Sequence, residues 1–133
     1  MSTDPLVLAA MAAREKAFAP YSKFRVGAAL EAEDGTIVSG CNVESASYGL
    51  TICAERVAIV KGVSEGRTRF VRVAVVTDTD ALTPPCGACR QLLWEFAPTA
   101  IVILANFSGA TEQYTIKELI PHAFDGGSIQ SPR

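Results

Sequence analysis

The sequence lacks several things, and each absence removes a class of function. Its 133 residues hold twelve Lys and Arg against fourteen Asp and Glu, a net charge of −2. No basic stripe breaks that balance, so no large nucleic-acid footprint is expected. No charged-then-apolar leader opens it, and no apolar run reaches the roughly 18 residues of a spanning helix. The expectation is a cytoplasmic protein without membrane contact. Thiols stay reduced there, so Cys41, Cys53, Cys86 and Cys89 read as metal ligands or free thiols before disulfides. No internal repeat and no linker divides the chain, and its length suits one domain. Its 49% hydrophobic content is enough for a core, with apolar surface left for an oligomer interface.

The elements follow from periodicity and punctuation. Over residues 4–18, Leu6, Ala9, Ala10, Ala13 and Ala17 recur at helical spacing, with Thr3 or Asp4 as cap and Pro5 in the first turn. "FRVGAALEAEDGTIVSGCNVE" reads as a hairpin around Asp34-Gly35. "ESASYG" is a polar loop, followed by a helix that carries "CAER" and runs to about Ser64. "FVRVAVVTDT" is a strand that Pro84 and Pro85 end, and "CGACRQLLWEFA" a second cysteine-bearing helix. "TAIVILANF" is a buried strand, "SGATEQYT" a turn with room for a short strand, and "IKELIPHAF" a helix interrupted at Pro121. The order predicts a single three-layer α/β/α domain over 1–133. Its sheet is mixed, with about five strands, the first two an antiparallel hairpin. The tail from about 125 to 133 is expected to be flexible.

The cysteines carry the chemistry. Cys86 and Cys89, three apart at a helix start, can turn toward one point. Redox dithiols share this spacing, but the thioredoxin-like order of elements is missing. With Cys53 they make three soft ligands that suit Zn²⁺, leaving its fourth position open for a water made acidic. Glu55, two residues beyond Cys53, is then the proton shuttle. Positions two apart within a helix point nearly opposite ways, so Cys53 must sit at the helix end. Three thiolates on Zn²⁺ leave a formal negative charge. Two helix N-termini offset it, and at least one of Arg56 and Arg90 is expected to donate to sulfur.

"CNVESASYGLTICAERVAI" and "PPCGACRQLLWEF" resemble the small homotetrameric zinc-dependent cytidine deaminases, over about residues 6–124. A Glu ahead of Pro-Cys-x-x-Cys is the signature of zinc deaminases, so the match is recognition rather than independent derivation. The resemblance implies hydrolysis of cytidine and 2′-deoxycytidine to uridine and 2′-deoxyuridine in pyrimidine salvage, with ammonia released and one zinc per subunit. Cys53, Cys86 and Cys89 would hold the zinc. Zinc-bound hydroxide would attack C4, while Glu55 moves the proton to N3 and then to the leaving amino group. The Ala54 amide would meet the pyrimidine O2, the Cys86 carbonyl region the amino group, and Phe24 the base. Asn42 and Glu44 would grip the ribose. Phe124 and the loop with Ala46 and Tyr48 would enter a neighbouring subunit's site. A pocket closed by Glu44 would also repel nucleotide phosphates.

Departures are few. Ser45 stands where the family often has Asn, and the single histidine, His122, lies far from the motif and is not expected to be a ligand. Two rivals remain. One is a blasticidin-type antibiotic deaminase, which the ribose pair and Phe24 disfavour. The other is a structural zinc module in which Cys41, otherwise a buried small hydrophobe, closes a four-cysteine site.

Overall fold

The structure, a computed structural model, describes residues 2–129. Helix α1 (Pro5–Arg14) opens on Asp4, whose carboxylate accepts from the Leu6 amide at 3.0 Å. It ends at Arg14 rather than near residue 18. The amides of Glu15, Lys16 and Ala17 bond three residues back, and the Phe18 amide leaves for the Asn42 carbonyl at 3.0 Å. Phe18 thus bridges Val43 instead of extending the helix.

Strands β1 (Val26–Ala32) and β2 (Ile37–Cys41) form the expected antiparallel hairpin, with Gly35 in its turn at φ +87°. Strand β3 (Phe70–Thr77) lies antiparallel to β1, β4 (Ile101–Ala105) parallel to β3, and β5 (Thr111–Thr115) antiparallel to β4. The result is a five-stranded mixed sheet in the order β2-β1-β3-β4-β5. Helices α2 (Ala54–Ser64), α3 (Gly87–Phe96) and the short α4 (Ile116–Leu119) follow in their expected places. Of the tail segment, Gly126–Ile129 form one helical turn, α5, and residues 130–133 lie outside the described residues.

Strand alternation sorts the core into two layers. Ala29, Ala74, Val76, Ile103 and Ala105 meet α1 through Leu6, Val7, Ala10 and Met11. Ala28, Leu30, Val73, Val75, Val102 and Leu104 pack with Ala54, Ala58, Ile59 and Leu93 of α2 and α3. Both cores are apolar, the second including Phe70, and each fully buried Val, Leu, Ile or Phe side chain contributes about 1.5–3 kcal/mol.

Topology brings the helix starts together. Strands β2 and β3 are both antiparallel to β1, so they run the same way. The helices that follow them, α2 and α3, therefore both begin at the same end of the sheet, beyond the carboxyl ends of β2 and β3. That end is where ligands bind in open α/β sheets. Gly40 sets how closely α2 lies: a Cβ there would come within 2.7 Å of the Ala58 nitrogen and 2.9 Å of the Ala54 carbonyl.

Candidate active site

Cys53 and Cys86 occupy equivalent places, each the extended capping residue of its helix, at φ −69°, ψ 154° and φ −69°, ψ 171°. Glu55 then falls in the first turn of α2, and Cys89 in the first turn of α3. The extended backbone at Cys53 frees it from helical side-chain geometry, so its thiol and the Glu55 carboxylate line the same cavity. Cys53 Sγ lies 3.7 Å from Cys86 Sγ, which lies 3.4 Å from Cys89 Sγ, and all three sulfurs fall within 4.8 Å of one another. Tetrahedral Zn–S bonds of about 2.3 Å separate sulfurs by roughly 3.8 Å, so this donor set fits zinc.

The surroundings fit thiolates. Arg56 Nη2 donates to Cys53 Sγ at 3.7 Å and to the Thr51 carbonyl at 3.4 Å, while its Nε is buried with no partner among the described residues. A hydrogen bond from the Cys89 thiol, then Arg56 and Cys86, draw the Cys53 thiol down to about 5 against the opposing effect of burial. The same bond, with burial and the Glu55 charge, pushes the Cys89 thiol up. Burial pushes the Glu55 carboxyl up to about 7. Two helix N-termini add partial positive charge at the cluster.

Arg90 serves elsewhere: Nε donates to the Pro85 carbonyl and Nη1 to the Leu119 carbonyl, both at 2.7 Å. It ties the segment before Cys86 to the C-terminal region. Cys41 stands apart on β2, in a separate cleft with Lys16 and Lys61, and is not part of the three-sulfur group. Exposed His122, at φ +55°, likewise lies outside that group.

Above the cluster opens a cavity of about 260 Å³. Phe24, Asn42, Glu44, Ala54 and Glu55 line it with Cys53 and Cys86. Asn42 is buried; its Oδ1 accepts from the Val26 amide at 2.9 Å and its Nδ2 donates to the Phe24 carbonyl at 2.7 Å. Glu44 accepts from the amides of Tyr21 and Ser22 at 2.9 and 3.1 Å and from the Ser22 hydroxyl. Those donors, with the Ser22 hydroxyl first, hold its carboxyl below the ordinary carboxylate value. Ser22, Val26, Thr51, Thr83 and Pro84 also line the cavity, and sequence reasoning did not single them out. Pro84-Pro85, read as a strand stop that sets up the second cysteine-bearing helix, was the available signal for that wall.

Ala46, Tyr48 and Phe124 are not brought to the cavity of this chain; all three are exposed. The Tyr48 ring meets Tyr21 edge-on at 6.0 Å, beside a second depression that shares Ser22, Glu44 and Thr51 with the first. The Phe124 carbonyl accepts from Gln91 Nε2 at 2.7 Å.

Comparison with known proteins bears on what this arrangement does. Residues 2–105 match the family model described as the cytidine and deoxycytidylate deaminase zinc-binding region. A cytidine deaminase of Halalkalibacterium halodurans is 50% identical over 125 residues, 93% of this chain and 95% of the relative. The blasticidin-S deaminase of Bacillus cereus is 34% identical over 108 residues, 75% of this chain and 76% of that one. The crystal structure of cytidine deaminase from Burkholderia pseudomallei superposes with a TM-score of 0.88 at 48% identity, over 93% of this chain and 100% of that chain.

Proposed function

The chain belongs to the zinc-binding cytidine and deoxycytidylate deaminase family, and from that premise we propose that it hydrolyses cytidine and 2′-deoxycytidine to the uridines, releasing ammonia. The observation that carries this reading is the shared cavity, where a three-cysteine cluster meets the buried Glu55 carboxyl. Cys53, Cys86 and Cys89 would hold one zinc. When bound, it supplies the Lewis acidity that makes a water nucleophilic near neutral pH.

The protein's own groups do the rest. Glu55 takes one proton from the attacking water and delivers it to N3, then takes the second from the new C4 hydroxyl and gives it to the amino nitrogen as the C4–N bond breaks and the C4 carbonyl forms. Arg56 offsets thiolate charge at Cys53. The Ala54 amide meets O2, the Cys86 carbonyl region faces the amino group, and Phe24 packs on the base.

The ribose pair has unused capacity. A carboxylate offers about four acceptor sites and Glu44 spends three, leaving one on Oε2 for a sugar hydroxyl. Asn42 keeps one N–H and one lone pair after its two backbone bonds. The same carboxylate repels a nucleotide phosphate, so monophosphates are poor substrates.

The active form is a homotetramer with sites shared between subunits. What supports this is exposed apolar surface beside the cavity. Phe18, Val43 and Ile52 stand on bridged backbone segments, and Tyr48, Leu50 and Phe124 are exposed. Ala46, Tyr48 and Phe124 reach the substrate across that contact. The role is pyrimidine salvage in the cytoplasm, where three close, unpaired thiols stay reduced.

The test is the ultraviolet absorbance of cytidine with purified protein, run beside a metal assay. Conversion to uridine with about one zinc per chain supports the reading. Turnover of blasticidin S alone would move the substrate to the antibiotic. A protein that neither deaminates nor keeps zinc as Cys41→Ser would be a structural module.

A further inference from the structure

We propose that Ser22 is a positioning residue that couples the hold on the sugar to the placement of Phe24, an inference that rests on the nucleoside reading above. The Ser22 hydroxyl donates to Glu44 Oε2 and accepts from the Phe24 amide at 3.0 Å. The Ser22 amide itself donates to Glu44 Oε1 at 3.1 Å. On its other side, the Phe24 carbonyl accepts from Asn42 Nδ2 at 2.7 Å. Both peptide groups flanking the Phe24 side chain are thereby held, one through Ser22 and one by Asn42.

The residue between them shows that this hold is needed. Lys23 sits at φ +63°, in the left-handed region that residues with a Cβ rarely adopt. Its amide closes the turn on the Ala19 carbonyl at 3.0 Å. Such a backbone persists only where its surroundings over-determine it. Here they do so through Glu44, which gathers the Tyr21 and Ser22 amides and the Ser22 hydroxyl on one carboxylate.

A serine hydroxyl has one proton, and Ser22 gives it to Glu44. It has none left for a ligand. Although Ser22 lines the cavity, it acts through its two neighbours. The chain from Phe24 N–H to Ser22 O–H to carboxylate is continuous, each group donating to the next. A sugar hydroxyl that docks on Glu44 therefore meets a carboxylate whose orientation also sets the aromatic wall, and sugar and base are gripped by one unit.

Ser22→Ala removes the link while leaving Glu44, Phe24 and the cysteines in the chain. Its KM for cytidine should rise roughly tenfold, the size of one hydrogen bond to a charged group. Its kcat should stay within about twofold and its zinc content should not change, because α2 and α3 hold the reacting groups separately. Ser22→Thr keeps the hydroxyl and should restore KM. Without substrate, amide exchange over residues 21–24 should be faster in Ser22→Ala than in the parent. An unchanged KM overturns the proposal. So does a loss of kcat and zinc together, or a KM defect that Thr leaves in place. If the parent protein does not turn over cytidine, the functional reading fails by itself. The exchange measurement then decides alone: unaltered exchange in Ser22→Ala overturns the clasp, and faster exchange supports it.

Discussion

Cys53 Sγ and Cys86 Sγ stand 3.7 Å apart across 33 residues of chain, each on the capping residue of its own helix. That convergence is a product of strand direction. Because β2 and β3 are both antiparallel to β1, the segments leaving them start helices at the same end of the sheet. Two positive helix ends, three sulfurs and one buried carboxylate are thereby gathered at one place.

Glu55→Gln tests the proton shuttle. The amide fills the same volume but cannot take or give a proton, so kcat should fall by roughly 10²–10⁴-fold or more. Zinc content should be unchanged, since Glu55 contributes no sulfur. The melting temperature should be no lower, because burial opposes the charge that the substitution removes. Retained turnover would transfer the shuttle role to another group.

Arg56→Gln removes the cation that donates to Cys53 Sγ. The Cys53 thiol should then titrate higher in metal-free protein, read as slower alkylation at neutral pH. In the zinc-loaded protein the site becomes more negative and holds a water's proton more tightly. The acid limb of the pH–rate profile should therefore move to higher pH. A profile and alkylation rate equal to the parent's would show Arg56 to be electrostatically idle.

Much of this site is legible in the sequence, and the reasons are local. Asp34-Gly35 announces the hairpin, and the two-residue step from Cys53 to Glu55 forces the cysteine to a helix end. What was not legible depends on distant partners. Helix α1 stops at Arg14 because Phe18 is drawn to Asn42 and Val43, a pairing that α1's periodicity cannot reveal. Arg90 looks like a sulfur donor beside Cys89, but carbonyls of Pro85 and Leu119 capture it. Thr51 and Thr83 carry no periodic signal and reach the cavity wall on the loops that lead into α2 and α3.

Gly40→Ala connects packing to chemistry. The new methyl would press on the Ala58 nitrogen and the Ala54 carbonyl, backbone atoms that cannot step aside alone. Helix α2 must shift, at a cost of about 1–3 kcal/mol. Cys53 and Glu55 move with it, so zinc should be lost at a lower chelator concentration than in the parent. Unchanged unfolding midpoint and zinc retention together would mean that α2 does not need its close seat on β2.

Asp4→Asn isolates a charge, since Asn still caps α1. The hydrogen bond from Arg72, which also reaches Glu31 at 3.0 Å, holds the Asp4 carboxyl below its ordinary 3.8. A depressed folded-state value adds stability above the unfolded value and loses it as pH falls through the folded one. Both side chains are partly exposed, so the gain is only about 0.5 kcal/mol. Denaturant midpoints of parent and variant should differ slightly at pH 7, and the gap should narrow as pH falls below the ordinary 3.8 and close once the folded carboxyl is protonated. A gap that persists at low pH would assign the effect to packing.

Phe18→Glu tests whether the site is complete in one chain. Phe18 is 56% exposed, bridges Val43 and does not line the cavity, so its replacement leaves the cavity's own residues in place. The parent should sediment well above its 14.1 kDa chain mass. A carboxylate in the apolar patch should lower that mass, because burying an unpaired charge costs several kcal/mol. If Tyr48 and Phe124 act across the contact, activity should be lost in step with assembly, and raising the protein concentration should restore both together. A variant that is monomeric yet fully active would place the whole site within one subunit and leave those aromatics without a role in the reaction.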